Sequence, residues 1–235
     1  MRKIAVAVIA ILVAGIVFIA GQSYIEKQKW LEGVNKIDEW SIVEGNDYNS
    51  GFGDIVVGNK DAKVRVIEYA DFQCSACAVT FPYIHDVVKE YGDDIAYTYR
   101  IYTLSYHSNA TAAATAALAA SKQGYFEDFA LMLFDKQDDW FYSEGEERDK
   151  QFESYLEKVS GGHANMDKYR EDLKSKDIKD KIALDHELAV RSNLTGTPLI
   201  FINKERFDVT SSKESEFKKE LKSRIDAAIE AANKE

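Results

Sequence analysis

The chain has 235 residues, of which 46 % are hydrophobic and 30 % charged, with a formal net charge of −10. That balance argues against nucleic acid or an anionic membrane surface as a partner, and the hydrophobic share is enough for a proper core without cysteine staples. Beyond an apolar N-terminal run, about 200 residues remain, the size of one soluble domain.

The N-terminus reads as a membrane anchor. Met1, Arg2 and Lys3 precede an uncharged apolar run over 4–20, continued by Gly21. As a helix at about 1.5 Å per residue this run covers about 27 Å, near the hydrocarbon thickness of a bilayer. A cleaved secretory signal is the alternative, but cleavage after Ala20 puts Phe18 where a small residue is needed, and Gly21-Gln22-Ser23 is only a weak site. Both readings export the rest of the chain, because Arg2 and Lys3 hold the short end in the cytoplasm. A disulfide is therefore permitted where the domain lives. The expected organisation is a cytoplasmic end at 1–3, a single-pass transmembrane signal anchor at 4–21, a juxtamembrane segment and linker at 22–53, and an extracytoplasmic domain at 54–235. Tyr24 and Trp30 suit the membrane interface, and Lys27 and Lys29 the headgroups. The glycine- and asparagine-rich stretch 45–53 reads as a linker or irregular loop.

In the domain, 55–57, 64–69 and 95–104 have strand patterns, and 75–91 reads as a helix between the last two. Strand, helix, strand calls for a parallel pair. From about 108 to 193 the pattern is almost wholly helical: 110–120 is alanine-rich, and Phe126, Phe129, Ala130, Leu133 and Phe134 form a buried stripe. A strand follows at 199–202, and Asn203-Lys204 turns it toward a partner at 206–209. The last helix opens on a capping box, Ser211 with Glu214, and carries Phe217, Leu221, Ile225 and Ala228 on one face.

The chain's two cysteines stand as Cys74-Ser75-Ala76-Cys77, between a strand and a helix. Two intervening residues on a helix start place both sulfurs on one face, one turn apart, close enough to form or open a disulfide. Cys74 sits where unpaired N–H groups and the helix dipole stabilise a thiolate, and Cys77, nearer the interior, is then the resolving thiol. A zinc site usually takes four Cys or His ligands, and neither a second Cys pair nor a second histidine near His85 is present. An inert structural disulfide is the other alternative. The four histidines, His85, His107, His163 and His186, share no spacing that suggests a site.

Several further pieces give the chain a wider resemblance. They are Glu68-Tyr69-Ala70-Asp71-Phe72-Gln73 leading into Cys74, His107 and Asn109 at the alanine-rich helix, Gln123-Gly124-Tyr125-Phe126, Leu133-Phe134 with Trp140, and Gly196-Thr197-Pro198 before a strand. Over about 53–235 the chain resembles the DsbA-like thiol-disulfide oxidoreductases of the thioredoxin superfamily. The resemblance implies an α/β thioredoxin fold, β-α-β then β-β-α, with a helical insertion at about 108–193. It implies a cis-proline at Pro198 beside the cysteines, with Thr197 offering backbone hydrogen bonds to an extended substrate. Pro82 would kink the active-site helix. Glu68 would be a buried acid aiding proton transfer, against the alternative of a surface strand carboxylate; Asp71 reads as a turn residue.

This sequence departs from the family in having Ser75-Ala76 between the cysteines, without the histidine that tunes strongly oxidising members, and in lacking a glycine after Asn203. The expected activity is introduction of disulfides into exported cysteine-containing proteins, with no cofactor beyond the Cys74–Cys77 disulfide and with reoxidation by a quinone-linked membrane partner. A reductase or isomerase of the same fold and a non-catalytic membrane-anchored chaperone or assembly module are the rivals. Asn109-Ala110-Thr111 and Asn193-Leu194-Thr195 also match glycosylation sequons.

Overall fold

The structure is a computed structural model that describes residues 2–234, with side chains from Leu12 onward. The chain divides into two compact units, one ending at Asp38 and one beginning at Glu39. In the first, helix α1 (Arg2–Val34) continues well past the expected anchor into the expected juxtamembrane stretch. Among the described residues no helix is long and apolar enough to cross a membrane. Much of the expected span lies outside that description, since the side chains of 4–11 are not part of it.

The second unit is built on five strands, β1 (Ile55–Gly58), β2 (Val64–Ala70), β3 (Ile95–Ile101), β4 (Leu199–Ile202) and β5 (Glu205–Phe207), in the order β1-β3-β2-β4-β5. β2 and β3 are parallel, as the intervening helix α2 (Ser75–Tyr91) requires, and the other pairs are antiparallel. At Gly58, φ is +84° and an added Cβ would overlap the carbonyls of Gly92 and Ile95, so only glycine fits there. Between β3 and β4 come α3 (Ala110–Ser121), α4 (Phe126–Asp135), α5 (Gln137–Trp140), α6 (Gly145–Val159), α7 (Met166–Asp172) and α8 (Lys176–Arg191), and α9 (Glu214–Ala232) closes the chain. Val66 and Ala70 of β2 and Tyr97, Tyr99 and Ile101 of β3 join Phe81 of α2 and the Phe126–Phe134 stripe in the main core.

The structure revises three local expectations. β3 ends at Ile101 rather than 104, because Leu104 N–H bonds to Asp71 Oδ2 instead of continuing a ladder. The hairpin closes earlier, with β5 at 205–207: Asn203 takes a left-handed φ of 55°, which asparagine tolerates, and its side chain accepts from Arg65 N at 2.9 Å, so no glycine is needed. The capping box does not form. Lys213 is the residue before α9, and the Ser211 hydroxyl donates to Glu216 at 2.7 Å rather than pairing with Glu214.

The stretch expected to link anchor and domain is folded. Asn46 and Asn49 order it, with Asn46 Oδ1 accepting from Tyr48 N at 2.8 Å and Asn49 Oδ1 from Asn46 N at 2.7 Å. Trp40 packs against Phe201 with ring centroids 4.8 Å apart and the planes tilted by 59°. On this second face of the sheet, Arg100 donates to Asp54 Oδ2 at 2.8 Å, and Lys181 bonds Asp54 at 2.7 Å and Asp185 at 2.5 Å, all four side chains being buried. Arg100 also donates to the Glu39 and Ser41 carbonyls at 2.5 and 2.6 Å, and Asp185 accepts from Ile101 N at 3.0 Å. Burial pushes the Asp54 carboxyl upward, but Arg100 and Lys181 outweigh it and hold the group well below the usual carboxylate range.

Two positive and two negative charges thus fasten 39–54 and α8 to β3. Removing one partner of a buried pair costs about 3–5 kcal/mol, so Asp54→Ala should lower the urea midpoint by that stability at an unchanged slope. A loss below about 1 kcal/mol, the scale of an exposed pair, would show that the quartet does not hold the segment down.

Candidate active site

The site begins in the turn between β2 and α2. Asp71 folds it: Oδ1 accepts from Gln73 N at 2.8 Å, its carbonyl accepts from Cys74 N at 3.0 Å, and Oδ2 accepts from Leu104 N and meets His107 Nδ1, both at 2.8 Å. Asp71 is the turn residue its position suggested and also ties down the segment after β3. The helical insertion braces the same turn through amides. Gln137 donates to the carbonyls of Phe72 and Cys74 at 2.8 and 3.1 Å. Gln73 donates to Phe141 O at 2.9 Å and accepts from Asn109 N at 2.6 Å, while the Asn109 amide reaches the carbonyls of Trp140, Phe141 and Ser143. Asn109 is buried with its amide fully occupied, so its sequon cannot be modified in the folded protein.

From this platform α2 starts, with Cys74 at its N-cap and 8 % exposed, and Cys77 fully buried. Ser75 and Ala76 are exposed. Both cysteines are free thiols in this structure. The Cys74 thiol is pulled from the ordinary 9.0 to about 5, chiefly by the hydrogen bond Cys77 donates, against the opposing effect of burial. The Thr197 side chain and the backbone N–H groups of Cys77 and Ala76 add to the fall, as a helix start should. Cys77 goes the other way: burial pushes it well above 9.0, and the hydrogen bond and charge of Cys74 push it further.

The Thr197–Pro198 peptide bond is cis, and Thr197 O lies 3.4 Å from Cys74 Sγ, accepting from the thiol form. The Thr197 hydroxyl is buried without another partner and is free to serve the thiolate. A groove of about 370 Å³ opens beside the pair, its wall mostly apolar, with Ala76, Val79, Pro198, Phe207 and Val209, but also carrying Arg206 and Asp208. Val79 and Val209 are 43 % and 39 % exposed, so the groove offers apolar surface to solvent.

Glu68 is fully buried, which removes the surface-carboxylate alternative. It shares the β2 face of Val66 and Ala70, toward α2. Burial lifts its carboxyl from 4.5 to about 7, against a 2.5 Å hydrogen bond donated by Tyr97. Its charge is felt by Cys77, placing acid and thiol in one buried neighbourhood. The structure thus brings together Cys74, Cys77, Thr197, Pro198 and, behind them, Glu68. The sequence motifs contain Gln73 and Asn109 but assign them no role, nothing in the sequence marks Gln137, and Tyr97 is there only one residue of the 95–104 strand pattern. Nothing local marks an amide that reaches across 63 or more residues of chain.

Fold and thiol pair together define a class, the oxidoreductase enzymes built on the thioredoxin fold. A family model described as Thioredoxin matches residues 51–226, and the chain belongs to that family. Among solved structures it is similar to BdbD from Bacillus subtilis, with a TM-score of 0.59 at 22 % identity over 81 % of this chain and 98 % of that one. It is also similar to the thiol-disulfide exchange protein alpha-DsbA2 from Wolbachia pipientis, with a TM-score of 0.59 at 18 % identity over 73 % of this chain and 85 % of that one. A curated relative, the Na(+)/H(+) antiporter NhaA 1 of Mycolicibacterium vanbaalenii, is 33 % identical over 153 residues, which are 64 % of this chain and 23 % of the antiporter. The chain spans less than a quarter of the length of that relative, and the antiport in its name is a statement about the relative.

These two groups give the site opposite pH signatures. Cys74 has a folded pKa below its free value, so its stabilisation of the reduced protein is complete above pH 9 and lost as pH falls through about 5. Glu68 has a raised one, so its contribution is complete below pH 4.5 and lost as pH rises through about 7. Thiolate absorbance should therefore titrate near pH 5, and Glu68→Gln should remove the loss of stability that wild type suffers through pH 7. A midpoint near 9 for Cys74 would contradict the assignment.

Proposed function

We propose that the chain is a membrane-anchored, extracytoplasmic thiol-disulfide oxidoreductase that introduces disulfides into exported cysteine-containing proteins. The observation that carries this is the asymmetry of the two sulfurs, one at a helix start with its pKa drawn to about 5 and the other buried and held protonated, beside a cis-proline and an apolar groove. A disulfide is a stronger oxidant the more its reduced form is stabilised, by about 30 mV for each 1.4 kcal/mol. The depressed Cys74 pKa favours oxidation over the reductase and isomerase alternatives. It also speaks against an inert disulfide in a chaperone or assembly module, since a structural thiol gains nothing from being acidic.

The chemistry follows from the placement. A substrate thiolate attacks Cys74 Sγ, the Cys74–Cys77 bond breaks, and its electron pair goes to Cys77, which takes a proton from Glu68. A second substrate thiolate then attacks the substrate sulfur bonded to Cys74. The substrate disulfide forms and Cys74 leaves as the stabilised thiolate. An extended substrate segment lies along Thr197 and Pro198, with its apolar side chains in the groove. Ser75 and Ala76, at the exposed start of α2, set how far the helix terminus alone tunes Cys74. The cysteine pair is itself the redox centre, so the reaction calls for no bound cofactor. Reoxidation falls to a quinone-linked membrane partner, which a single-pass anchor at 4–21 would keep close; that anchor rests on the hydropathy of the sequence.

Cys77→Ala should accumulate mixed disulfides with substrates, whereas Cys74→Ser should abolish exchange and trap nothing. Thr197→Arg should reduce trapping in the Cys77→Ala background. Equal trapping by both cysteine variants would overturn the division of roles. In intact cells, an impermeant thiol reagent should label Cys74 only after reduction, and the protein should fractionate with membranes. Labelling of Cys74 without prior reduction would instead favour a reductase.

A further inference from the structure

Burying a lone carboxylate is costly unless something stabilises its charge. For Glu68 the stabilising group is a neutral hydroxyl. Tyr97 Oη donates to Oε2 at 2.5 Å, and Oε1 is buried with no partner. The groups facing this pair are known from every side. Tyr97 and Tyr99 come from β3, Tyr99 being the register partner of Glu68, and Cys77 with Cys74 beyond it comes from α2. Asp71 in the turn acts on Tyr99, Glu127 of α4 acts on Tyr97, and β4 sets Ile200 opposite Glu68. None of these is a cation, so the Tyr97 hydroxyl is what counters burial at Glu68.

From this geometry we propose that Tyr97 is a positioning residue for the exchange reaction, holding Glu68 by Oε2 so that Oε1 is the oxygen that passes a proton to and from Cys77. The inference rests on the function proposed above and deepens it. In the step that opens the enzyme disulfide, the electron pair of the broken S–S bond goes to Cys77 and the proton comes from Glu68 Oε1. In the reverse step, Cys77 attacks Cys74 of a mixed disulfide, returns its proton to Glu68, and the substrate sulfur leaves as thiolate. The hydrogen bond on Oε2 favours the carboxylate, so it keeps Glu68 able to take that proton near neutral pH. The ring of Tyr97 packs in the main core, and its hydroxyl is the only part this role requires.

The test uses the reduced full-length protein and a peptide disulfide, following first the attack by Cys74 and then the displacement of the peptide thiolate by Cys77 across pH. Tyr97→Phe keeps the ring and removes the hydroxyl. The midpoint of the second step should move up by about one pH unit from about 7, which slows that step about fivefold at pH 7 and about tenfold well below it. The first step and the thiolate titration of Cys74 should not move. Glu68→Gln should erase this limb of the profile, and adding Tyr97→Phe to it should change nothing further. Tyr99→Phe, which removes a buried hydroxyl that has no partner, should leave the midpoint in place. A purely structural Tyr97 would lower stability without shifting the midpoint, and that result overturns the inference while leaving exchange intact. If wild type forms no mixed disulfide at all, the exchange function falls and the role of Tyr97 with it.

Discussion

Two sulfurs one helical turn apart cannot both carry charge, and the arrangement of the domain follows from which of them does. Cys74 stands at the N-terminus of α2, where backbone N–H groups have no helical partner and a negative charge is welcome. Cys77 is one turn further in, on the face that carries Phe81, Ile84 and Val88 into the core. There a thiolate would lose its hydration with nothing to replace it, so Cys77 keeps its proton and lends it to Cys74 as a hydrogen bond. The packing that buries α2 against the sheet is thus the same fact as the acidity of Cys74.

That division requires the start of α2 to be fixed, and the helical insertion fixes it. A four-residue turn has little hold on its own geometry. Gln137, Gln73 and Asn109 give it one: Gln137 of α5 bonds the carbonyls of Phe72 and Cys74, while Asn109 N–H holds the Gln73 side chain and the side-chain amides of Gln73 and Asn109 both donate to Phe141 O. Buried amides are costly when half-bonded and rigid when every group has a partner, and the Asn109 amide has its partners on both atoms, Arg148 meeting its carbonyl oxygen at 3.0 Å. The insertion is therefore part of the redox site even though it contributes no reacting atom.

What could be read from the sequence was what repeats locally. The alternation in β2 and β3, the stripe from Phe126 to Phe134 and the apolar face of α9 each announce themselves within a dozen residues, and the cysteines advertise their own chemistry. Segment 39–53 gave no such sign. Its glycines and asparagines look like those of a linker, and the groups that order it, Arg100 and Lys181, lie 46 and 127 residues from Asp54. No periodicity encodes such a pairing. The start of α9 failed for a related reason: a serine three residues before a glutamate satisfies the capping pattern, but an exposed Ser211 hydroxyl is free to choose Glu216 instead.

The sheet buries charge on both of its faces, and the contrast explains why only one face is reactive. Toward α8, Arg100 enters the interior with Asp54, Lys181 and Asp185, where the two cations hold Asp54 ionised while burial pushes the Asp185 carboxyl upward. Asp54, Arg100 and Lys181 resist titration there, because moving a proton on any of them leaves an uncompensated charge behind. Toward α2, Glu68 sits with tyrosines and cysteines and no counter-ion, so its charged and neutral forms are nearly balanced around neutral pH. A proton there moves at little cost. The neighbouring residues Tyr99 and Arg100 on β3 point to these two environments, so the pleat of a single strand separates a charge that holds the fold from one that can follow the chemistry of the disulfide.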